Sequence, residues 1–269
     1  MHDDVHTPPP RSASPSPTRP SPTSPSPTTL ADELRALPPP GRAWSAAFGL
    51  VLAVHLVAHL ALPDGPPLQR WTQWLLMPLL AAALWLSTTV PRPRLVRLAF
   101  VALFWSWLGG SVPDFVTGQG SFLVLMALFL VAQVAYVVAF WPYRADSALT
   151  RRRGVVAAYA GVCLAIVGGA AAVLLPAGDP AVALVVGLAV YGAALVSMAV
   201  LATGVHRLAG IGGALFVASD GLLGVRQAMP AIADTLPAGV YGFAVMATYS
   251  FAQLLLVLGI RRRAVGGEQ

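Results

Sequence analysis

The chain alternates long apolar stretches with short polar breaks, and the spacing of the breaks sets the predicted elements. Apolar stretches lie near residues 43–62, 71–89, 95–111, 121–141, 154–176, 181–202, 208–226 and 239–260. Each is close to the roughly 20 residues that an α-helix needs to cross the hydrocarbon core of a bilayer. Pro63, Pro91, Pro113, Pro142, Pro180 and Pro237 fall between stretches, where a residue without an N–H donor does least damage. Pro78 falls inside the second stretch, at a position where it can kink a helix. The pattern predicts an all-α fold: a polytopic membrane bundle of eight transmembrane helices over residues 43–263, with a short C-terminal tail over 264–269.

Residues 1–42 read differently, with twelve of the 24 prolines and a Ser/Thr/Pro alternation from Ser12 to Thr29. Such a segment cannot bury a core and is expected to be disordered or partly polyproline II, on the cytoplasmic side. It holds no apolar run of the kind that marks a secretory signal. Within it, residues 31–37 are expected to form a short surface helix, ended by Pro38-Pro39-Pro40.

Composition sharpens the membrane reading. The 269 residues are 57% hydrophobic and 10% charged, against about 25% charged in soluble domains. The formal charge of +6 does not point to nucleic acid, because the basic residues gather on no single face. All seventeen are arginines, lying in the tails, between apolar stretches or near their ends, where membrane orientation explains them better. With eight crossings and the N-terminus inside, fifteen fall in the cytoplasm and only Arg70 and Arg226 outside. Both termini are therefore expected in the cytoplasm, in a multi-pass protein of the cell membrane. The single Cys163 excludes a disulfide within one chain and a thiolate metal site.

Two weaker patterns concern packing. Ala102-Leu103-Phe104 recurs as Ala214-Leu215-Phe216, and Ala132-Gln133 as Ala252-Gln253, as in two parallel four-helix halves with a site between them. Ala157, Gly161, Ala165 and Gly169 recur every four residues in the fifth stretch, a stripe on which a neighbouring helix can pack closely.

Nearly all of the nine aspartates and two glutamates lie in tails or between stretches. Asp220 is the exception. It sits well inside the seventh stretch, where an ionisable group costs a few kcal/mol unless it faces a cavity or a partner. Such a group suits general-acid chemistry. His55 and His59 share one face of the first helix, in the same half of the membrane as Asp220. They fit a polar cluster better than a zinc site, for which no third ligand is evident. Asp114, at the outer end of the third stretch, is either a plain loop acid or a group at the mouth of a site. Gln73, Gln133, Gln253, Tyr136, Tyr191 and Tyr249 are intramembrane polar groups that line a cavity or tie helices together. There is no G-x-S-x-G elbow and no phosphate-binding loop.

Several phrases go further: residues 71–80 (WTQWLLMPLL), 102–110 (ALFWSWLGG), 127–141 (ALFLVAQVAYVVAFW), 213–222 (GALFVASDGL) and 248–254 (TYSFAQL). In these phrases, and in their order, the chain resembles the YhhN family of membrane lysoplasmalogenases over roughly residues 43–263. The resemblance implies an eight-helix bundle that hydrolyses the vinyl ether of lysoplasmalogens to an aldehyde and a glycerophospho-base. The expected partner is a membrane lipid substrate, and no cofactor or metal is expected. Departures accompany the matches. The family usually has Gly-Asp where this chain reads Gly109-Gly110, and often Lys at Gln73 and His at Gln133.

Opening a vinyl ether requires a proton on its β-carbon and then water at the resulting oxocarbenium ion, a task that paired carboxylates perform at sugars. On this reading Asp220 handles the proton and Asp114 is the candidate second acid, with His55 or His59 as substitutes. His55, His59, Gln73, Ser219, Gln133, Tyr136, Tyr191 and Tyr249 are the candidate substrate contacts. Two rival readings stand beside it: a catalytically silent relative that binds lipid or a partner, and a small-solute transporter.

Overall fold

A computed structural model describes residues 29–62 and 66–266. The expectations for residues 1–28, for Pro63 and for residues 267–269 lie outside the described residues. Within them the chain is helical and forms no strand. Eight helices have 18 residues or more: α1 (Pro39–Ala61), α2 (Pro66–Leu86), α3 (Arg94–Ser111), α4 (Gln119–Phe140), α5 (Arg153–Leu174), α6 (Asp179–Val205), α7 (Arg207–Ala228) and α8 (Ala238–Gly266). Each falls on one predicted apolar stretch. Seven of them are long and apolar enough to cross a membrane. The other is α2, whose first turns carry Gln69, Arg70, Thr72 and Gln73; it runs through Pro78 without a break.

Prolines set several helix starts. The short helix Leu30–Arg35 is capped by Thr29 and Asp32 in a reciprocal box. It stops before Pro38, which is the N-cap of α1, and Pro39 and Pro40 open that helix. Their missing N–H groups would have had no helical partner in a first turn anyway.

The core centres on α8. About 67% of its apolar window is buried, against 6% for α5, and α8 packs on α1, α2, α3, α6 and α7. Its closest approach, to α7, depends on small residues. A Cβ added at Gly212 would stand 2.7 Å from the Ala252 carbonyl oxygen, and one at Gly259 would stand 2.6 Å from the Ala209 nitrogen. On its other side α7 meets α6, where a Cβ at Gly213 would lie 2.8 Å from Ala199 Cα. So α7 is wedged between two helices by side chains it lacks.

One end of the bundle is fastened by arginines. Arg262 pairs with the buried Glu33, and Arg261 donates to the Ser87 and Ala36 carbonyls, each at 3.3 Å. The first described helix and the end of α8 therefore lie at the same end. Arg92 stacks over Trp85 and Arg263 over Tyr143 there, with centroid distances of 3.5 and 4.7 Å. Cation–aromatic pairs of this kind suit a membrane surface.

One packing pattern needs correction. The stripe on α5 does not hold a neighbouring helix of this chain: Ala157, Gly161 and Ala165 are exposed, and a Cβ at Gly161 would meet nothing within 4 Å. Only Gly169 is approached, by Met229. Spacing by four fixes a common face but not the direction it points. Of the repeated phrases, Phe104 is half exposed and Phe216 fully buried, while Ala132-Gln133 and Ala252-Gln253 are alike in being fully buried.

Gly212→Ala is predicted to lower the melting temperature of the purified protein by roughly 5 °C, since overpacking costs about 1–3 kcal/mol and each kcal/mol shifts the midpoint by about 2–4 °C. Gly161→Ala, in open space, should leave it unchanged or slightly higher. Equal effects in a thermal-unfolding assay would contradict the packing described.

Candidate active site

Asp220 lies two turns beyond the glycine contacts on α7, so the close packing that places α7 also places its carboxyl. Tyr191 on α6 donates a hydrogen bond to Asp220 Oδ2. The neighbouring Ser219 is fully buried and donates to the Val245 carbonyl on α8 at 3.0 Å. These bonds fix α7 against both neighbours at the level of the acid.

The half-buried Asp220 faces a cavity of about 230 Å³ at the end of the bundle away from the arginine cluster. Six helices line it. They bring His59 from α1, Gln73 from α2, Gly110 from α3, Phe129 from α4, Arg226 from α7 and Tyr249 from α8. His59 Nε2 is buried with no hydrogen-bond partner among the described residues, and Tyr249 packs edge to face on Phe129 and Phe216. The lining mixes these polar side chains with apolar ones such as Leu125 and Met246, as small-molecule sites commonly do. On the other side of Asp220 is a narrow apolar cleft of about 50 Å³ that includes Cys163 and Ile166. A larger hollow of about 560 Å³ at the arginine-rich end is lined by Arg151, Arg152 and Arg207. Arg151 there is paired with Asp146 at 2.6 Å.

The two histidines divide. Their rings meet edge to face, with centroids 4.8 Å apart. His55 is fully buried, with Nδ1 2.8 Å from the Thr72 hydroxyl. That hydroxyl donates to the Leu68 carbonyl at 2.6 Å, so the ring is the donor to Thr72 and Nε2 carries the lone pair. His55 thus props His59, which lines the cavity. Gly242 on α8 makes room for the His59 ring, since a Cβ there would fall 2.6 Å from its Nδ1.

Other candidates stand apart from the cavity. Tyr136 donates to Gln253 Oε1 at 2.8 Å, and Gln253 Nε2 donates to Ser106 at 3.0 Å. All three are fully buried and tie α4, α8 and α3 together. Gln133 is fully buried and is not among the cavity residues.

Asp114 is not brought to Asp220. It lies in the turn Val112–Phe115, accepts from Trp74 Nε1 at 2.9 Å and sits 3.5 Å from Arg70 Nε. Position 110 does face the cavity. Gln73 Nε2 donates to the Gly110 carbonyl at 2.7 Å, and a Cβ at Gly110 would make ordinary contact with that amide. The place where the resemblance leads one to expect a second acid therefore lines the same cavity as Asp220, but holds no side chain. Among the described residues, no three His, Cys, Asp or Glu side chains gather as metal ligands would.

Sequence reasoning missed Arg226, Tyr241 and Gly242 as cavity residues. Arg226 carried a signal, being one of the two arginines that the expected orientation leaves outside the cytoplasm. Gly242 carried none.

The model of the YhhN family matches residues 68–260, from α2 into α8. No curated protein and no solved structure matches the chain.

Proposed function

The chain belongs to the YhhN family, and from that membership and the cavity at Asp220 we propose that it is a membrane hydrolase that cleaves the vinyl ether of lysoplasmalogen. The products are a fatty aldehyde and a glycerophospho-base. One observation carries the reading: a carboxyl inside an apolar helix lines a cavity of about 230 Å³ together with His59, Gln73 and Tyr249. A purely structural acid would have its partners around it and no cavity in front of it.

The chemistry needs a proton donor and then a base, and one carboxyl can serve as both in turn. Asp220 in its acid form gives its proton to the β-carbon of the vinyl ether, and the double-bond electrons form the new C–H bond. The α-carbon and ether oxygen are left as an oxocarbenium ion beside the new carboxylate. Tyr191, donating to Oδ2, steadies that carboxylate and leaves Oδ1 toward the substrate. Water attacks the α-carbon, and Asp220 takes back the proton that the water loses. The hemiacetal then splits to aldehyde and glycerol hydroxyl, its own O–H proton passing to the departing oxygen. His59 and Tyr249 are placed to hold the water. This cycle does not require Asp114, nor an acid at Gly110.

In the membrane, α2 is the eighth crossing, with Trp71 and Trp74 toward one surface and Trp85 toward the other. The arginine-rich end, and with it both termini, faces the cytoplasm. A reporter enzyme active only outside the cell should be silent when fused after residue 269 and active when inserted at residues 116–118. The reverse pattern would overturn the orientation.

Gly110 supports a second reading, a relative that binds lysoplasmalogen without cleaving it. Purified protein is expected to release aldehyde from lysoplasmalogen, and Asp220→Asn to lower kcat by roughly a hundredfold or more, with Tyr191→Phe intermediate. Binding without any aldehyde favours the silent relative. Full activity in Asp220→Asn would remove the hydrolase mechanism.

A further inference from the structure

Arg226 is left over from everything above. It lies at the end of the bundle where arginines are otherwise scarce, and its only companion there among the described residues, Arg70, is already paired with Asp114. No ion pair to Arg226 occurs among the described residues, and its aromatic neighbour is the Tyr241 ring, 5.6 Å from the guanidinium carbon. Tyr241 is itself fixed, its hydroxyl donating to the Leu222 carbonyl at 2.6 Å. Arg226 is an exposed side chain, yet it lines the same cavity as Asp220. Six residues of helix separate the two, a rise of about 9 Å. The cavity thus has a carboxyl at its deep end and an uncompensated guanidinium at its mouth.

We propose that Arg226 binds the phosphodiester of a single-chain phospholipid whose ether end lies at Asp220. The proposal rests on the reading of this cavity given above. In such a lipid the anionic phosphate and the ether oxygen are separated only by the three-carbon glycerol. Contact with Arg226 at the mouth therefore sets how deep the ether can sit, and the flexible arginine stem takes up the remaining distance. A guanidinium offers a planar fork of donors that matches phosphate oxygens, and its attraction is stronger at a partly dry cavity mouth than in bulk water. The apolar chain would leave through the Phe129 and Leu125 side of the wall. Arg226 is then a specificity residue: it selects single-chain lipids that carry a phosphate over those that end in a free glycerol.

The test uses full-length protein in lipid nanodiscs and three probes: a saturated 1-O-alkyl lysophosphatidylcholine, the matching 1-O-alkylglycerol, and inorganic phosphate alone. The saturated ether is not a substrate, so binding is read without turnover. Arg226→Ala is expected to weaken the lysophospholipid roughly ten- to a hundredfold while leaving the alkylglycerol within about twofold, which also shows that the variant is folded. Arg226→Lys should recover part of the loss. Equal weakening of both lipids, or no weakening of either, overturns the proposal. So does Arg226-dependent binding of inorganic phosphate as tight as that of the lipid, which would assign the guanidinium to free phosphate. If the selectivity holds while wild-type protein releases no aldehyde from lysoplasmalogen, the hydrolase reading fails and the phosphate site stands.

Discussion

An acid within a membrane-spanning helix costs a few kcal/mol unless something polar meets it, and the hydrogen bond from Tyr191 to Asp220 is the first part of what meets it here. That bond depends on α6 and α7 lying close together at a fixed rotation. The close approach is possible because Gly212 and Gly213 present no side chain to α8 and α6. Without those contacts α7 would stand further out and the carboxyl would turn toward lipid.

The two ends of the bundle do different work. At one end arginines cap carbonyls, pair with Glu33 and stack on aromatic rings, binding the first described helix to the last. At the other, the helices part enough to leave a cavity of about 230 Å³. Tightly tied helices at one end allow six of them to surround a polar space at the other, where groups such as His59 and Tyr249 are held in place.

Much of the fold was legible because the signal is local: every apolar stretch became one helix, and prolines marked several of the breaks. Asp220 was legible for the same reason, since an acid in an apolar run stands out regardless of its neighbours. Which residues join it was not legible, because that depends on helix rotation. Tyr136 and Tyr249 read alike in sequence, yet Tyr136 is fully buried against Gln253 and only Tyr249 lines the cavity. His55 and His59 share a face, but Thr72 claims one and leaves the other toward the cavity. The small-residue stripe on α5 misled because spacing names a face without saying what covers it. Asp114 reads like a second acid in sequence, but Trp74 and Arg70 hold it in its turn.

All of this requires that position 220 be reachable by water-soluble molecules from the end of the bundle that holds Arg226. Asp220→Cys in a Cys163→Ser background, treated with a small charged methanethiosulfonate reagent on intact cells, measures that reach directly. Modification from the outside that a saturated alkyl lysophospholipid blocks is the predicted result. A cysteine at 220 that stays unmodified, while one at an exposed position of the same end such as Phe115 reacts, would contradict the account.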